Sequence, residues 1–324
     1  MRKFLKVFLI FITPIIILLL FVEVYLRQIN TSYSEKIKGL EHNAGNIEIL
    51  FLGNSHTAYG IDPKQFDLNA YNAAQVSQSL YFDKRITLKY IDKLVNLKYV
   101  VIGLDYHSLY FSSQTSSRNI WSYYGYGIEY KNEVPFLSKI SRLKGYTNRI
   151  ALNLFEKDKS GKYDRIKALD VERGVNLNSP IQNGTFFLEG MDLKSMEEQH
   201  CLNRAGYFNA IVKESKEKNE IVSDLKDFIK QLRSKNIIPI FITVPCYDKY
   251  VSKLDQEHLF YNLKYIEKMT NELNVEYWDY INLKMKKNDF YNCDHLNKNG
   301  AITFSKILNN QLKSHFNKEF QSRK

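Results

Sequence analysis

Two short polar stretches, far apart in the chain, carry residue types that could perform acyl transfer. The first is Gly53-Asn-Ser-His56, which follows an apolar run and places a serine on a glycine-containing turn. The second is Asn292-Cys-Asp-His295, which precedes an amphipathic segment near the carboxyl end. A serine hydroxyl becomes a nucleophile when an oriented imidazole takes its proton. We therefore predict that Ser55 and His295 meet in the folded chain.

Each of these residues also has an ordinary structural interpretation. Asn54 or Ser55 would cap a helix equally well, and we also count Asn54 among the candidate binding residues. Taken alone, His295 is typical of a surface or capping residue. Cys293 is an awkward thiol nucleophile, because its base would be its near neighbour in sequence.

The sequence predicts neither a metal site nor a cofactor. Asp105, His107, His56 and Asp294 carry metal-ligating atoms, but no HxH or HxxxH spacing accompanies them. The chain has no Walker loop and no dinucleotide-binding fingerprint. The three cysteines are far apart and form no CxxC pair, so they suggest neither zinc nor a dense disulfide framework.

Short apolar runs alternate with amphipathic segments in the parts of the chain that hold both stretches. The runs predict strands near 47–52, 70–73, 99–104, 237–244 and 275–280. Helical spacing predicts helices over 79–97, 221–232 and 259–273, with a last helix from 297 or 299. Such alternation favours an α/β fold with a flavodoxin-like parallel sheet, whose carboxyl strand ends gather functional residues.

The alternation fails between about residues 106 and 218, which predicts an insertion with structure of its own. This stretch contains an aromatic cluster that includes Trp121 and Tyr124. Such rings stack on sugars in some proteins, so both are candidate binding residues. Local packing is the commoner role of such a cluster, and a separate carbohydrate-binding function for the insertion stays open.

With its flanking residues, the pair of polar stretches resembles the SGNH/GDSL hydrolase family. The likeness covers 47–104 and 221–312, and is nearest to the membrane-anchored, cell-surface branch found among polysaccharide O-acetylation and D-alanyl transfer proteins. It implies that Ser55 is the nucleophile and His295 the general base. It also implies an oxyanion hole formed by Ser55, Ser77 and His107.

This chain departs from the family pattern at three positions. Asn292 stands where the family has Asp, which leaves Asn292 or Asp294 to orient His295. Ser77 replaces a glycine, and His107 stands where an asparagine is usual. These departures keep a second interpretation open, namely a catalytically degenerate binding or assembly protein for cell-surface polymer modification.

The amino end predicts a membrane anchor. Phe4–Leu26 is apolar and long enough to cross a hydrocarbon core of about 30 Å, and basic residues precede it. We favour an uncleaved anchor over a signal peptide, because no small-residue cleavage site follows. The predicted organisation is a cytoplasmic tip and anchor over 1–27, a stalk over 28–45 and an extracytoplasmic domain over 46–324.

Charge narrows the class of partner. The chain carries a formal net charge of +11, of which +8 remains beyond residue 27. An exported basic domain is drawn to anionic polymers, so we expect a cell-envelope polysaccharide or a teichoic-acid-like polymer and no nucleic acid. A basic composition with no partner implied is nearly as consistent with this charge. The family resemblance further implies a membrane protein that delivers acyl groups.

Overall fold

The computed structural model describes residues 2–28, 31–112, 116–143 and 183–322. The chain divides into two compact units. The first consists of 1–34 and 115–173, and the second of 35–114 and 174–324.

The second unit contains a five-stranded sheet in which every pairing is parallel. Its strands are β1 (Ile49–Leu52), β2 (Ala70–Asn72), β3 (Tyr99–Gly103), β4 (Ile238–Thr243) and β5 (Glu276–Asp279). Their order is β2-β1-β3-β4-β5, the flavodoxin-like order. This confirms the predicted fold class. The carboxyl ends of β1 and β3 lie side by side, so residues after 52 and after 103 meet at one edge.

Helices cover both faces of this sheet. They are Ser55–Gly60, Leu80–Tyr90, Glu198–Glu214, Lys218–Ser234, Asp248–Val251, Gln256–Leu273 and Lys298–Ser322. Phe304 and Leu308 of the last helix pack in one core cluster with Phe51, Val101 and Ile240. On the other side, Leu80–Tyr90 is joined to Lys218–Ser234 by ion pairs, including Lys84 Nζ to Asp224 Oδ1 at 2.5 Å. Near-continuous burial of the strands follows from this two-sided cover.

The first unit contains Arg2–Gln28, a helix long and apolar enough to cross a membrane, with a mean hydropathy of 2.9 in its most apolar window. Pro14 lies inside this helix. Its described residues include two shorter helices, Ser116–Tyr126 and Phe136–Ile140.

The predicted stalk over residues 28–45 contains regular structure. A helix covers Ser32–Asn43, and its Leu40 is fully buried. The Tyr71 hydroxyl of β2 donates a hydrogen bond to the Lys36 carbonyl at 2.6 Å, which ties this helix to the sheet. This helix is not evident from the sequence, because most of its residues are polar and its apolar face is short.

The predicted insertion over about 106–218 includes residues of both compact units. Residues 116–143 belong to the first unit, whereas 183–218 belong to the second and contain the whole of helix Glu198–Glu214. Residues 144–182 lie outside the described residues.

Candidate active site

The turn after β1 presents Ser55 at the start of a helix. Gly53 has φ +134°, and a Cβ at this position would lie 2.7 Å from Thr57 Oγ1, so glycine is needed here. Asn54 caps helix Ser55–Gly60 by accepting the His56 N–H at 2.9 Å. The Ser55 amide belongs to the first helical turn, where N–H groups have no acceptor within the helix.

Two buried side chains, Asp83 and Asn72, hold this turn in place by hydrogen bonds. Asp83 Oδ1 accepts the Gly53 N–H at 3.1 Å. The Asn72 side chain, at the end of β2, donates to the Thr57 carbonyl at 3.0 Å and accepts the Ala74 N–H at 3.1 Å. The position of Ser55 is thus fixed by β1, β2 and the helix that carries Asp83.

The structure brings Ser55 and His295 together. The distance from Ser55 Oγ to His295 Nε2 is 2.8 Å, and both side chains are buried. The loop before the last helix aims the imidazole, because Asn292 Oδ1 accepts the backbone N–H of His295 at 2.8 Å and that of Asp294 at 3.1 Å. Residues 240 positions apart therefore form a hydroxyl–imidazole pair.

Two oxygens face the other ring nitrogen of His295. Nδ1 lies 3.1 Å from Asn292 Oδ1 and 3.3 Å from Asp294 Oδ1. With acceptors on that side, Nδ1 carries the hydrogen and Nε2 is left to take the Ser55 proton. Asn292 and Asp294 are thus both placed to orient the imidazole of His295, and of these two only Asp294 carries a negative charge.

Asp294 belongs to a buried network that balances its charge. Its Oδ2 lies 2.6 Å from Arg204 Nε and 3.3 Å from His56 Nε2. On the far side of the same ring, His56 Nδ1 lies 3.0 Å from Asp105 Oδ1. The two carboxylates thus alternate with the guanidinium and a protonated imidazole, so the buried negative and positive charges balance.

These surroundings set the protonation of the three groups that decide the chemistry. Burial disfavours a charged His56 ring, but the carboxylates of Asp105 and Asp294 outweigh burial and raise its pKa to about 9. Burial also opposes the charged form of Asp294, yet the facing His295 and Arg204 hold its pKa well below the usual range. Burial lowers the pKa of His295; Asp294 opposes this, but burial together with the charges of His56 and Arg204 outweighs it, so His295 is neutral at pH 7.

Sequence reasoning missed Arg204 and the partnership of His56 with Asp294. Arg204 lies in the predicted insertion, and no spacing signals its contact with a loop 90 positions away. His56 and Asp105 stood out only as candidate metal ligands.

Donor atoms of His56, Asp294 and His295 lie within 4.8 Å of one another, a grouping that could hold a metal ion. The donors are already directed at Ser55, Asp105 and one another, and the guanidinium of Arg204 lies on Asp294. A cation entering here would meet another cation at its carboxylate ligand. The residues present therefore fit a proton-transfer site better than a metal site.

The oxyanion role of His107 stays a prediction, and the structure constrains one of its two ring nitrogens. Because Asn54 Oδ1 takes the His56 N–H, the amide nitrogen of Asn54 faces His107 Nε2 at 3.2 Å, and that ring nitrogen must accept. It therefore cannot donate through Nε2 to an oxyanion. Burial lowers the pKa of His107 to about 3, and its ring stacks on Phe208 with centroids 3.9 Å apart. His107 and Asn54 support the nucleophile turn.

Ser77 has a left-handed backbone conformation, which glycine adopts more readily than serine. Its φ is +55°, and it is the third residue of a turn closed by the Gln78 N–H and the Gln75 carbonyl at 2.9 Å. An amide role for Ser77 in an oxyanion hole stays a prediction.

Trp121 and Tyr124 belong to the first unit. Their rings meet edge to face with centroids 5.6 Å apart, and the Tyr124 hydroxyl donates to the Ser141 carbonyl at 3.1 Å. Packing accounts for these contacts, and sugar stacking by either ring stays a prediction.

A disulfide joins Cys201 to Cys293 across 92 residues. It connects the helix that carries Arg204 to the loop that carries Asp294 and His295, so the bridge and the ion pair fasten the same two elements. The scattered cysteine spacing gave no sign of this pairing. Cys246 is the free cysteine, and it is buried.

No family model matches this chain, and no curated protein matches it. Among solved structures, it is similar to an acylhydrolase from Bacteroides fragilis, with 13% identity, a TM-score of 0.39 and coverage of 86% of this chain and 94% of that one. It is also similar to a GDSL-like lipase from Bacteroides thetaiotaomicron, with 10% identity, a TM-score of 0.40 and coverage of 87% of this chain and 99% of that one. A third similar structure is an acetyl xylan esterase, with 12% identity, a TM-score of 0.34 and coverage of 83% of this chain and 99% of that one. Similarity this low leaves function to be inferred from the chain's own residues.

We expect Cys201 and Cys293 to be oxidised in the native protein. Alkylation of the unfolded chain without reductant should modify only Cys246, and replacing both bridged residues with serine should lower the free energy of unfolding by about 4 kcal/mol, because the unfolded chain gains loop entropy. Mass spectrometry and urea denaturation measure these outcomes. Alkylation of all three cysteines would contradict the bridge.

We expect the free energy of unfolding to decrease as the pH rises through about 9. The pKa of His56 is raised from 6.5 to about 9 on folding, so the bound proton stabilises the fold fully below pH 6.5 and this stabilisation is lost above pH 9. The shift corresponds to about 3 kcal/mol. Urea denaturation on both sides of this range should show the decrease in wild type and in exposed His42→Gln, whereas an equal decrease in His56→Gln would exclude His56 as its source.

Proposed function

We propose that this chain is a membrane-anchored serine esterase or acyltransferase that acts on acyl groups, chiefly O-acetyl, of a cell-envelope polysaccharide. One observation carries the chemical part of the proposal, namely the 2.8 Å contact of Ser55 Oγ with Nε2 of a buried imidazole whose Nδ1 faces Asn292 and Asp294. This is the arrangement that serine acyl transfer needs.

The reaction proceeds in two balanced halves. Ser55 Oγ attacks the ester carbonyl as His295 Nε2 takes the hydroxyl proton, and the tetrahedral oxyanion faces the amides of Ser55 and Ser77. Collapse breaks the ester C–O bond, and the departing alkoxide receives the proton from His295, which leaves an acyl group on Ser55. A sugar hydroxyl or water then gives its proton to His295 and attacks the acyl group. The ester bond between the acyl group and Ser55 Oγ breaks, and His295 returns the proton to Oγ, which regenerates the Ser55 hydroxyl.

The charge network favours this use of His295. A base must be unprotonated to accept a proton, and the lowered pKa of His295 keeps it so at neutral pH. Asp294 then stabilises the imidazolium that forms during the reaction, since its carboxylate lies 3.3 Å from Nδ1.

An extracytoplasmic location is part of the proposal. Disulfides persist in oxidising compartments, and Cys201 and Cys293 are bridged. The amino-terminal helix follows Arg2 and Lys3, a flank that favours retention of this end in the cytoplasm. From that location the domain would meet envelope polymers, and as a transferase it would need a membrane partner that supplies the acyl donor.

We expect Ser55→Ala to abolish hydrolysis of 4-nitrophenyl acetate, because the proposed nucleophile is removed. Initial rates of the purified full-length protein test this, and exposed Ser234→Ala is the control. Adding a deacetylated polysaccharide should divert acetyl groups to sugar in a transferase. Equal rates for wild type and Ser55→Ala would favour the binding or assembly protein instead.

We expect Asp294→Asn to reduce kcat/KM by about 1,000-fold, because the charge that stabilises the imidazolium is lost. Asn292→Ala should cost about tenfold, since it removes a neutral acceptor while Asp294 remains. The exposed Asp92→Asn variant controls for charge. Equal losses at 292 and 294 would contradict the assignment of Asp294 as the stronger orienting group.

A further inference from the structure

In the first unit, residues 136–142 are fastened to the carboxyl end of helix Arg2–Gln28. Arg27 Nη2 donates to the Ile140 carbonyl at 2.8 Å. Glu23 accepts the Ser141 hydroxyl at 2.7 Å and the Arg142 N–H at 3.0 Å. Glu23 and Arg27 are themselves paired at 2.7 Å, so these contacts form one connected set.

Charge locates this attachment along the helix. No charged residue occurs between Val7 and Val22, and Glu23 and Arg27 are the acidic and basic groups that end the apolar stretch. Charged side chains are costly in hydrocarbon, so in a spanning helix this pair lies at the headgroup level. Residues bound to the pair are therefore held at the membrane surface.

The attached segment exposes apolar side chains. Phe136 is 73% exposed, Leu137 61% and Ile140 56%, whereas Ser138 of the same short helix is buried. These three side chains would remain in water if the segment lay in solvent. Their clustering beside an apolar helix is typical of a surface that meets lipid.

A cavity of about 270 Å³ adjoins this segment. Arg27, Lys139 and Arg142 line it together with Tyr124, whose ring lies 5.1 Å from the Arg142 guanidinium. Lys139 also pairs with Glu129 at 2.6 Å, so the lining carries a net positive charge with Arg142 as its cation without a carboxylate partner among the described ion pairs. Basic and aromatic side chains at the headgroup level are suited to lipid phosphates.

We infer that residues 136–142 form a membrane-surface segment, in which Phe136, Leu137 and Ile140 enter the outer leaflet and Arg27, Lys139 and Arg142 bind lipid phosphate. The occupant is the bilayer itself, because the segment continues the surface of the anchoring helix. This inference rests on the proposed anchor and is independent of the chemistry at Ser55. It gives the anchor a second point of contact, which restrains the first unit against the membrane.

The test places an environment-sensitive nitrobenzoxadiazole label at position 137 of the full-length protein in nanodiscs of phosphatidylcholine and phosphatidylglycerol. Leu137→Cys supplies the thiol, and the exposed side chain makes the change compatible with the fold. The chain's own cysteines are bridged or buried, so background labelling is low. Phe11→Cys is the reference inside the helix, and Leu193→Cys, 68% exposed in the second unit, is the aqueous control.

We expect doxyl-labelled lipids to quench labels at 11 and 137 at least about twofold more than the label at 193. Quenching at 11 but not at 137 would overturn the inference and leave the anchor intact. Absence of quenching at 11 would overturn both.

Binding of lipid phosphate by the basic residues is tested separately. Quenching at 137 should increase with the phosphatidylglycerol fraction, and Lys139→Gln should weaken that dependence because one cation is lost. Equal quenching in neutral and anionic nanodiscs would overturn phosphate binding by these residues.

Discussion

The buried carboxylate of Asp294 is the constraint on which the site depends. Buried anions are tolerated when cations and hydrogen bonds surround them, and here Arg204 and His56 meet one oxygen while His295 meets the other. The contacts come from three distant parts of the chain. Burial keeps His295 neutral, with the charges of His56 and Arg204 acting in the same direction against Asp294, so the cations that stabilise the buried carboxylate also help to prepare the base to receive a proton.

A contact in the site could be predicted from the sequence only where the topology of the parallel sheet brings its two residues together. Ser55 follows a strand end and His295 precedes a helix, so the parallel sheet brings them to one edge, and their types stand out there. Arg204 follows from no such rule, because its helix belongs to the stretch where alternation fails. The pairing of Cys201 with Cys293 depends on the same helix. The hydrogen bond between Asn54 and His107 Nε2 fixes the orientation of this ring, and spacing does not reveal that contact.

Asn292 and Ser77 each have a physical role in the fold. Asn292 supplies its oxygen to two backbone amides and faces the imidazole, so it shapes the loop while Asp294 provides the charge. Ser77 tolerates a left-handed conformation, which is costly for a serine and suggests that the turn itself is required. The bridge to Cys293 restrains the loop that both residues serve.

The central claim is that a neutral His295 activates Ser55. The most direct measurement is the pH dependence of covalent labelling of Ser55 by a fluorophosphonate, with the adduct located by mass spectrometry. The account predicts a labelling rate that rises through an apparent pKa below 6.5, the lowered pKa of His295, and then stays level through pH 7. In His295→Ala that rise should be absent and the rate lower. A rate that is independent of pH, and equal in both proteins, would contradict the account.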